Sequence, residues 1–207
     1  MPLTPDETEV IDGEVSTPRY MDSTLDEEIR KREEEHRRNE ETSFKHAENA
    51  LREAIEENSE PRKFSRNLLI DSTPEGMLIQ IVDGEQRSMF PSGSSVLYGE
   101  AKELLSQIVT AVRDLPSEIA VNGHTDATPF RSRLGYSNWE LSSERAHASR
   151  RALIDSGLPD ERITRVVGKA AQEPLIKHDP YAAQNRRISI ILLREQGPVD
   201  YGKMDQR

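Results

Sequence analysis

The sequence predicts an α+β fold, a two-layer sandwich of helices on a mixed β-sheet, preceded by an acidic helical or disordered N-terminal segment. Three observations carry this. The texture changes at Pro61, from charged and helix-favouring to apolar and strand-like. Beyond it, strand and helix patterns follow in the order β-β-α-β-α-β-β, and packing in two layers lets each element bury its apolar face. The last stretch, "RRISIILLRE" at 186–195, is rich enough in isoleucine to be the centre of a sheet.

Taken in order, residues 1–23 are rich in Pro, Thr, Asp and Glu and poor in large apolar residues, the composition of a disordered segment. Residues 24–60 read as an acidic helical linker. From Leu25 to Asn58 there is no Gly or Pro, and Glu, Arg, Lys, Ala and Leu dominate. Phe44, Ala47, Leu51, Ala54 and Ile55 form one apolar stripe on that helix. Two readings fit the stripe: a solvated spacer, or a pairing face for a partner chain. "FSRNLLIDST" and "GMLIQIVDG" read as a hairpin around a Thr-Pro-Glu-Gly turn. "SSVLYGEAKELLSQIVTAVRDLP" is an amphipathic helix stopped by Pro116, and "SEIAVNGHT" is a strand. "SNWELSSERAHASRRALIDSG" is a helix with capping-box spacing at Ser137 and Glu140 and a glycine cap at Gly157. "RITRVVGKA" and "RRISIILLRE" complete the sheet, with a helical turn expected near Asp179–Ala183. The folded domain is thus expected over 61–195, with a disordered tail at 196–207.

Charge and composition exclude several functions. The net charge of −10 over 207 residues is uneven: residues 1–60 hold 8 Lys and Arg against 19 Asp and Glu, and the remainder 20 against 19. Neither part offers the broad basic surface that nucleic acid requires. There is no cysteine for a disulfide, a thiolate metal site or a thiol nucleophile. No apolar run approaches the roughly 20 residues of a membrane span, and "MPLTPDETEV" is not a signal peptide. By itself this describes a soluble cytoplasmic chain, unless the sequence is a piece of a longer one.

His124 and Asp126 are spaced to point the same way from a strand, but no HxxxH, HExxH or cysteine pair supports a metal. No GxSxG elbow or phosphate-cradling glycine loop is present, so neither an enzyme nor a cofactor is expected. A different constellation stands out. Asp126 closes a strand, and Asn138, Leu141 and Arg145 share one face of the helix that follows. A carboxylate and a guanidinium facing one cleft suit a zwitterionic ligand. The same two groups would equally serve as a structural salt bridge, and spacing does not decide between these readings.

Four motifs then resemble a known family in order and spacing. "VNGHTD", "NWELSSERA", "GLPDERITRVVGKA" and "AAQNRRISI" are similar to the OmpA-like peptidoglycan-binding domain, with likeness of fold over roughly 64–195. "MLIQIVDGEQRSMFPSGS", "GYSNWELSSERAHASRRALIDSGL" and "RVVGKA" narrow the resemblance to the stator B subunits of the flagellar motor. The resemblance implies a non-catalytic module that holds the diaminopimelate residue of peptidoglycan stem peptides. By position Asp126 would take the ammonium and Arg145 the carboxylate, with Thr125, Asn138 and Leu141 lining the pocket. Arg186 would add a second basic contact, or Arg187 if the strand phase is shifted. It further implies a periplasmic part of an inner-membrane-anchored protein whose anchor is not in this sequence. The implied partners are peptidoglycan, the stator A subunit, a second copy as a homodimer, and the flagellar P-ring. Another OmpA-like wall anchor and a wall hydrolase are the alternatives. Trp139 reads as a core or loop-packing residue rather than a sugar platform, and His124 as structural.

Overall fold

A computed structural model describes residues 23–57, 67–84, 87–130 and 135–195; the disorder expected at 1–23 and 196–207 lies outside them, except that Ser23 opens a helix. The elements are α1 (Ser23–Glu57), β1 (Leu68–Thr73), β2 (Gly76–Val82), α2 (Gly99–Val112), β3 (Ile119–His124), α3 (Asn138–Asp155), β4 (Ile163–Gly168) and β5 (Arg187–Leu193). Short 3₁₀ turns occupy Asp160–Arg162 and Ala183–Asn185, the second a few residues beyond the expected turn.

The five strands form one mixed sheet in the order β1-β2-β5-β3-β4. β1 and β2 form the expected antiparallel hairpin. β3 and β4 are parallel, joined through α3. The isoleucine-rich β5 is the central strand, antiparallel to β2 on one side and to β3 on the other. Its alternate residues Ile188, Ile190 and Leu192 face the main core with Ile79, Ile81 and Val121. Its other face carries Arg187 and Ser189, which meet Gln80 Oε1 across the ladder at 2.8 and 3.4 Å.

The main core also takes Ala101, Leu104, Leu105, Ile108 and Val112 of α2 and Ala146, Ala152 and Leu153 of α3. α3 presents small residues to the sheet, and glycines on the strands let it come close. A Cβ on Gly123 would collide with the Ser142 carbonyl, and one on Gly168 with the Ser143 hydroxyl. The helix ends are capped as the sequence predicts. Ser137 Oγ accepts from Trp139 N at 3.3 Å, and the Glu140 carboxylate accepts from Ser137 N at 2.7 Å. Gly157, at φ +100°, ends the helix in a Schellman motif: Leu158 N donates to Leu153 O and Gly157 N to Ile154 O.

The chain divides into two compact units, Met1–Arg37 and Arg38–Arg207. Within the first, the described part of α1 is highly charged and exposed from residue 27. Within the second, the apolar stripe of α1 is buried in the domain's own core: Phe44, Ala47, Leu51 and Ile55 are at most 5% exposed. That part of the helix is therefore neither a solvated spacer nor a free pairing face. Burying each of Phe44, Leu51 and Ile55 is worth roughly 1.5–3 kcal/mol, enough to fix this half of α1 on the domain. Arg194, following β5, adds an ion pair to Glu40 at 2.7 Å and lies over the Phe44 ring.

Candidate functional site

The C-terminal end of β3, the start of α3, the turn before β5 and the loop between β2 and α2 converge on one cleft of about 430 Å³. Thr125, Asp126, Asn138, Leu141, Arg145 and Arg186 all line it. Ser88, Phe90, Ser92, Thr128 and Phe130 contribute as well. The strand phase delivers Arg186 to the cleft and turns Arg187 away, where it donates to Gln80 Oε1 and to the Glu173 carbonyl.

Asp126 is held on both carboxylate oxygens by its neighbours. Its Oδ1 accepts from Thr128 N at 2.9 Å, and its Oδ2 accepts from Arg186 Nη1 at 2.7 Å. Asn138 Nδ2 donates to the Thr128 carbonyl at 3.0 Å and ties the start of α3 to that turn. Thr125 N donates to Ala170 O, while its buried hydroxyl has no partner among the described residues.

The structural salt bridge considered from sequence spacing is not the arrangement found. Arg145, 4% exposed, directs Nε to the Ser94 carbonyl at 2.9 Å and Nη2 to the Pro91 carbonyl at 3.3 Å. Its guanidinium also lies over the Phe90 ring, 4.9 Å from the centroid. Burial pushes its pKa down, and the neighbouring Asp83 carboxylate opposes that shift. Arg145 thus clamps the loop at 90–94 and also lines the cleft.

Arg186 bridges two carboxylates. Its Nε donates to Asp83 Oδ2 at 2.9 Å and its Nη1 to Asp126. Burial works against its charge, but the hydrogen bonds to Asp126 and Asp83 outweigh it and raise its pKa. Asp83 lies just past β2 in "IVDG", where a turn aspartate is unremarkable, so the pattern gave no sign of its role. It is 2% exposed and also accepts from Met89 N at 2.9 Å and from Ser88 Oγ at 2.6 Å. Asn185 holds the turn that presents Arg186, accepting from Ile176 N and donating to Asp179 O, each at 2.8 Å.

Two aromatic residues near the cleft behave differently from each other. Trp139 is 50% exposed, so it is not the core or loop-packing residue its place in the first helical turn suggests. Tyr136 packs edge-to-face on Phe130, with centroids 5.5 Å apart. His124 is buried as expected; burial, then the Arg187 charge, lowers its pKa to about 3. No group of three or more His, Cys, Asp or Glu that could hold a metal occurs among the described residues.

The fold is that of the OmpA class, and residues 89–187 match the model of the OmpA family. Within that class the chain is a homologue of motility protein B. It is 39% identical over 171 residues to motility protein B of Escherichia coli K12, covering 82% of this chain and 54% of that protein. The chain therefore spans about half the length of this relative. Among solved structures, it resembles the cell wall anchor of the type VI secretion system from Pseudomonas aeruginosa at 26% identity and TM-score 0.54, over 63% of this chain and 90% of that one. The periplasmic domain of Helicobacter pylori MotB shares the fold at 19% identity and TM-score 0.54, over 62% and 89%.

Proposed function

We propose that this chain is the wall-binding part of a flagellar stator B subunit, a non-catalytic anchor that holds peptidoglycan and so fixes the stator for torque generation. The observation that carries the reading is a cleft lined by one carboxylate and two guanidiniums, with residues 89–187 matching the OmpA family, in a homologue of motility protein B. Asp126 takes the ammonium at the side-chain end of diaminopimelate. Arg145 and Arg186 share its carboxylate, and Thr125, Asn138 and Leu141 form the walls. Charge-assisted contacts of this kind are worth about 1.5–3 kcal/mol each, so a few suffice for a reversible hold on a polymeric wall. The domain acts in the periplasm on a protein anchored in the inner membrane; among the described residues no helix is long and apolar enough to cross a membrane. Its partners are peptidoglycan, the stator A subunit (MotA), a second copy of the chain and the flagellar P-ring.

The test is co-sedimentation with purified sacculi, wild type beside Asp126→Asn, with a thermal melt of each. Wild type pellets, and the variant stays folded but binds at least about tenfold more weakly. Equal pelleting of the two, or none by wild type, would overturn the assignment. A second reading, the wall anchor of another envelope machine, is favoured by the likeness to the secretion-system anchor. Pull-down of the stator A subunit by the natural full-length protein separates the two.

A further inference from the structure

We infer that Asp83 is a positioning and specificity-determining residue of the cleft: it holds Arg186 in place and brings the site's charge to zero, so that the cleft selects a ligand end with no net charge. This rests on the reading of the cleft as a diaminopimelate site.

Four charged side chains make up the site. Asp83 and Asp126 carry −2, Arg145 and Arg186 carry +2, and all four belong to one electrostatic cluster, since Arg145 feels each of the other three. Three of its members are poorly solvated: Asp83, Asp126 and Arg145 are each at most 8% exposed, while the Arg186 side chain keeps 30% of its surface. In such surroundings an added net charge is costly, and a balanced set accepts a zwitterion more readily than either ion alone. Without Asp83 the balance would be +1, and a lone carboxylate would be welcome.

Asp83 has no surface in the cleft, so it acts through Arg186. The two residues are joined twice. Asp83 N donates to Arg186 O at 2.9 Å, continuing the β2–β5 ladder by one step, and Arg186 Nε returns a bond to Asp83 Oδ2 at 2.9 Å. Fixing Nε fixes the plane of the guanidinium, which leaves Nη1 on Asp126 at 2.7 Å. The remaining contacts of Asp83, to Ser88 Oγ and Met89 N, belong to the loop that carries Phe90 and Ser92 into the cleft. One buried carboxylate thus sets an arginine, a loop and a charge count.

The experiment measures binding of three Nα-acetyl amino-acid amides, in which only the side-chain end is charged. Diaminopimelate ends in a zwitterion, 2-aminopimelate in a carboxylate alone, and lysine in an ammonium alone. Wild type prefers the zwitterion to both. In Asp83→Asn the preference for the zwitterion over the carboxylate-only ligand falls about tenfold, while lysine is rejected more strongly. Arg186→Gln, which does not depend on how Asp83→Asn folds, moves the balance to −1 and shifts preference the other way, toward lysine. If either folded variant weakens all three ligands alike, or leaves the ratios unchanged, Asp83 is only a structural carboxylate and the inference is wrong while the cleft assignment stands. If wild type binds none of the three, the assignment falls and the inference with it.

Discussion

Arg186 and Asp126 meet at 2.7 Å in the cleft, so the strand carboxylate is paired with the strand arginine and the helix arginine is engaged elsewhere. In the proposed binding mode, Arg186 competes with the ligand ammonium for Asp126, yet stays beside it to meet the ligand's carboxylate. The site is therefore organised before binding, and little ordering has to accompany capture.

The clamp on the loop gives the first prediction. Arg145→Lys keeps the charge but cannot direct two donors from one plane to the Ser94 and Pro91 carbonyls. Amide exchange at Ser94 and Tyr98, whose N–H groups close this loop on Pro91 and Met89, will accelerate while the amides of α2 stay protected. The loss should be about 1–3 kcal/mol of local stability. Unchanged exchange at these amides would show that the clamp is idle.

Close contact between α3 and the sheet gives the second. Gly123→Ala places a methyl group against the Ser142 carbonyl, a backbone atom that cannot step aside. The expected cost is roughly 1–3 kcal/mol or more, read as a lower urea midpoint. Gly99→Ala, where the added carbon meets nothing within 4 Å, is the control and should leave the midpoint unchanged.

A third concerns the helix ahead of the sheet. Leu51 is 1% exposed, and Leu51→Ala should destabilise the domain by about 2–5 kcal/mol in chemical denaturation. A helix that merely linked the domain to something else would tolerate the change at no cost.

His124 supplies a pH dependence. Its folded pKa is depressed from 6.5 to about 3, so the unfolded chain binds a proton in a range where the folded one refuses it. The stability this contributes is complete above about 6.5 and is lost as pH falls toward 3, at roughly 1.4 kcal/mol per pH unit. Thermal melts at pH 7, 6 and 5 should drop more steeply for wild type than for His124→Gln; parallel curves would rule His124 out as the source.

Much of the fold was legible because its signals are local. The alternation in "GMLIQIVDG", the capping spacing of Ser137 and Glu140 and the isoleucines of β5 each determine an element without reference to the rest. The cleft residues Thr125, Asp126, Asn138, Leu141, Arg145 and Arg186 came from ordered motifs, and the fold brings them to one cavity. What stayed hidden depends on tertiary contact. An aspartate after a strand looks the same whether it faces water or anchors Arg186. The stripe at 44–55 shows that the helix has an apolar side, but not that its own sheet would cover it. Trp139 shows the converse, a large aromatic side chain left in solvent at a position that usually packs.

The central place of β5 has a mechanical consequence. One end of this strand meets the cleft through Arg186, and the other end, through Arg194, grips Glu40 on α1. In the proposed anchor role, a pull between a ligand held in the cleft and that helix runs along the strand. Both attachments lie at the ends of β5, so the load passes along its own covalent backbone, and the ladders to β2 and β3 hold the strand in register on either side. The same arrangement that seats the arginine makes the strand a tension member.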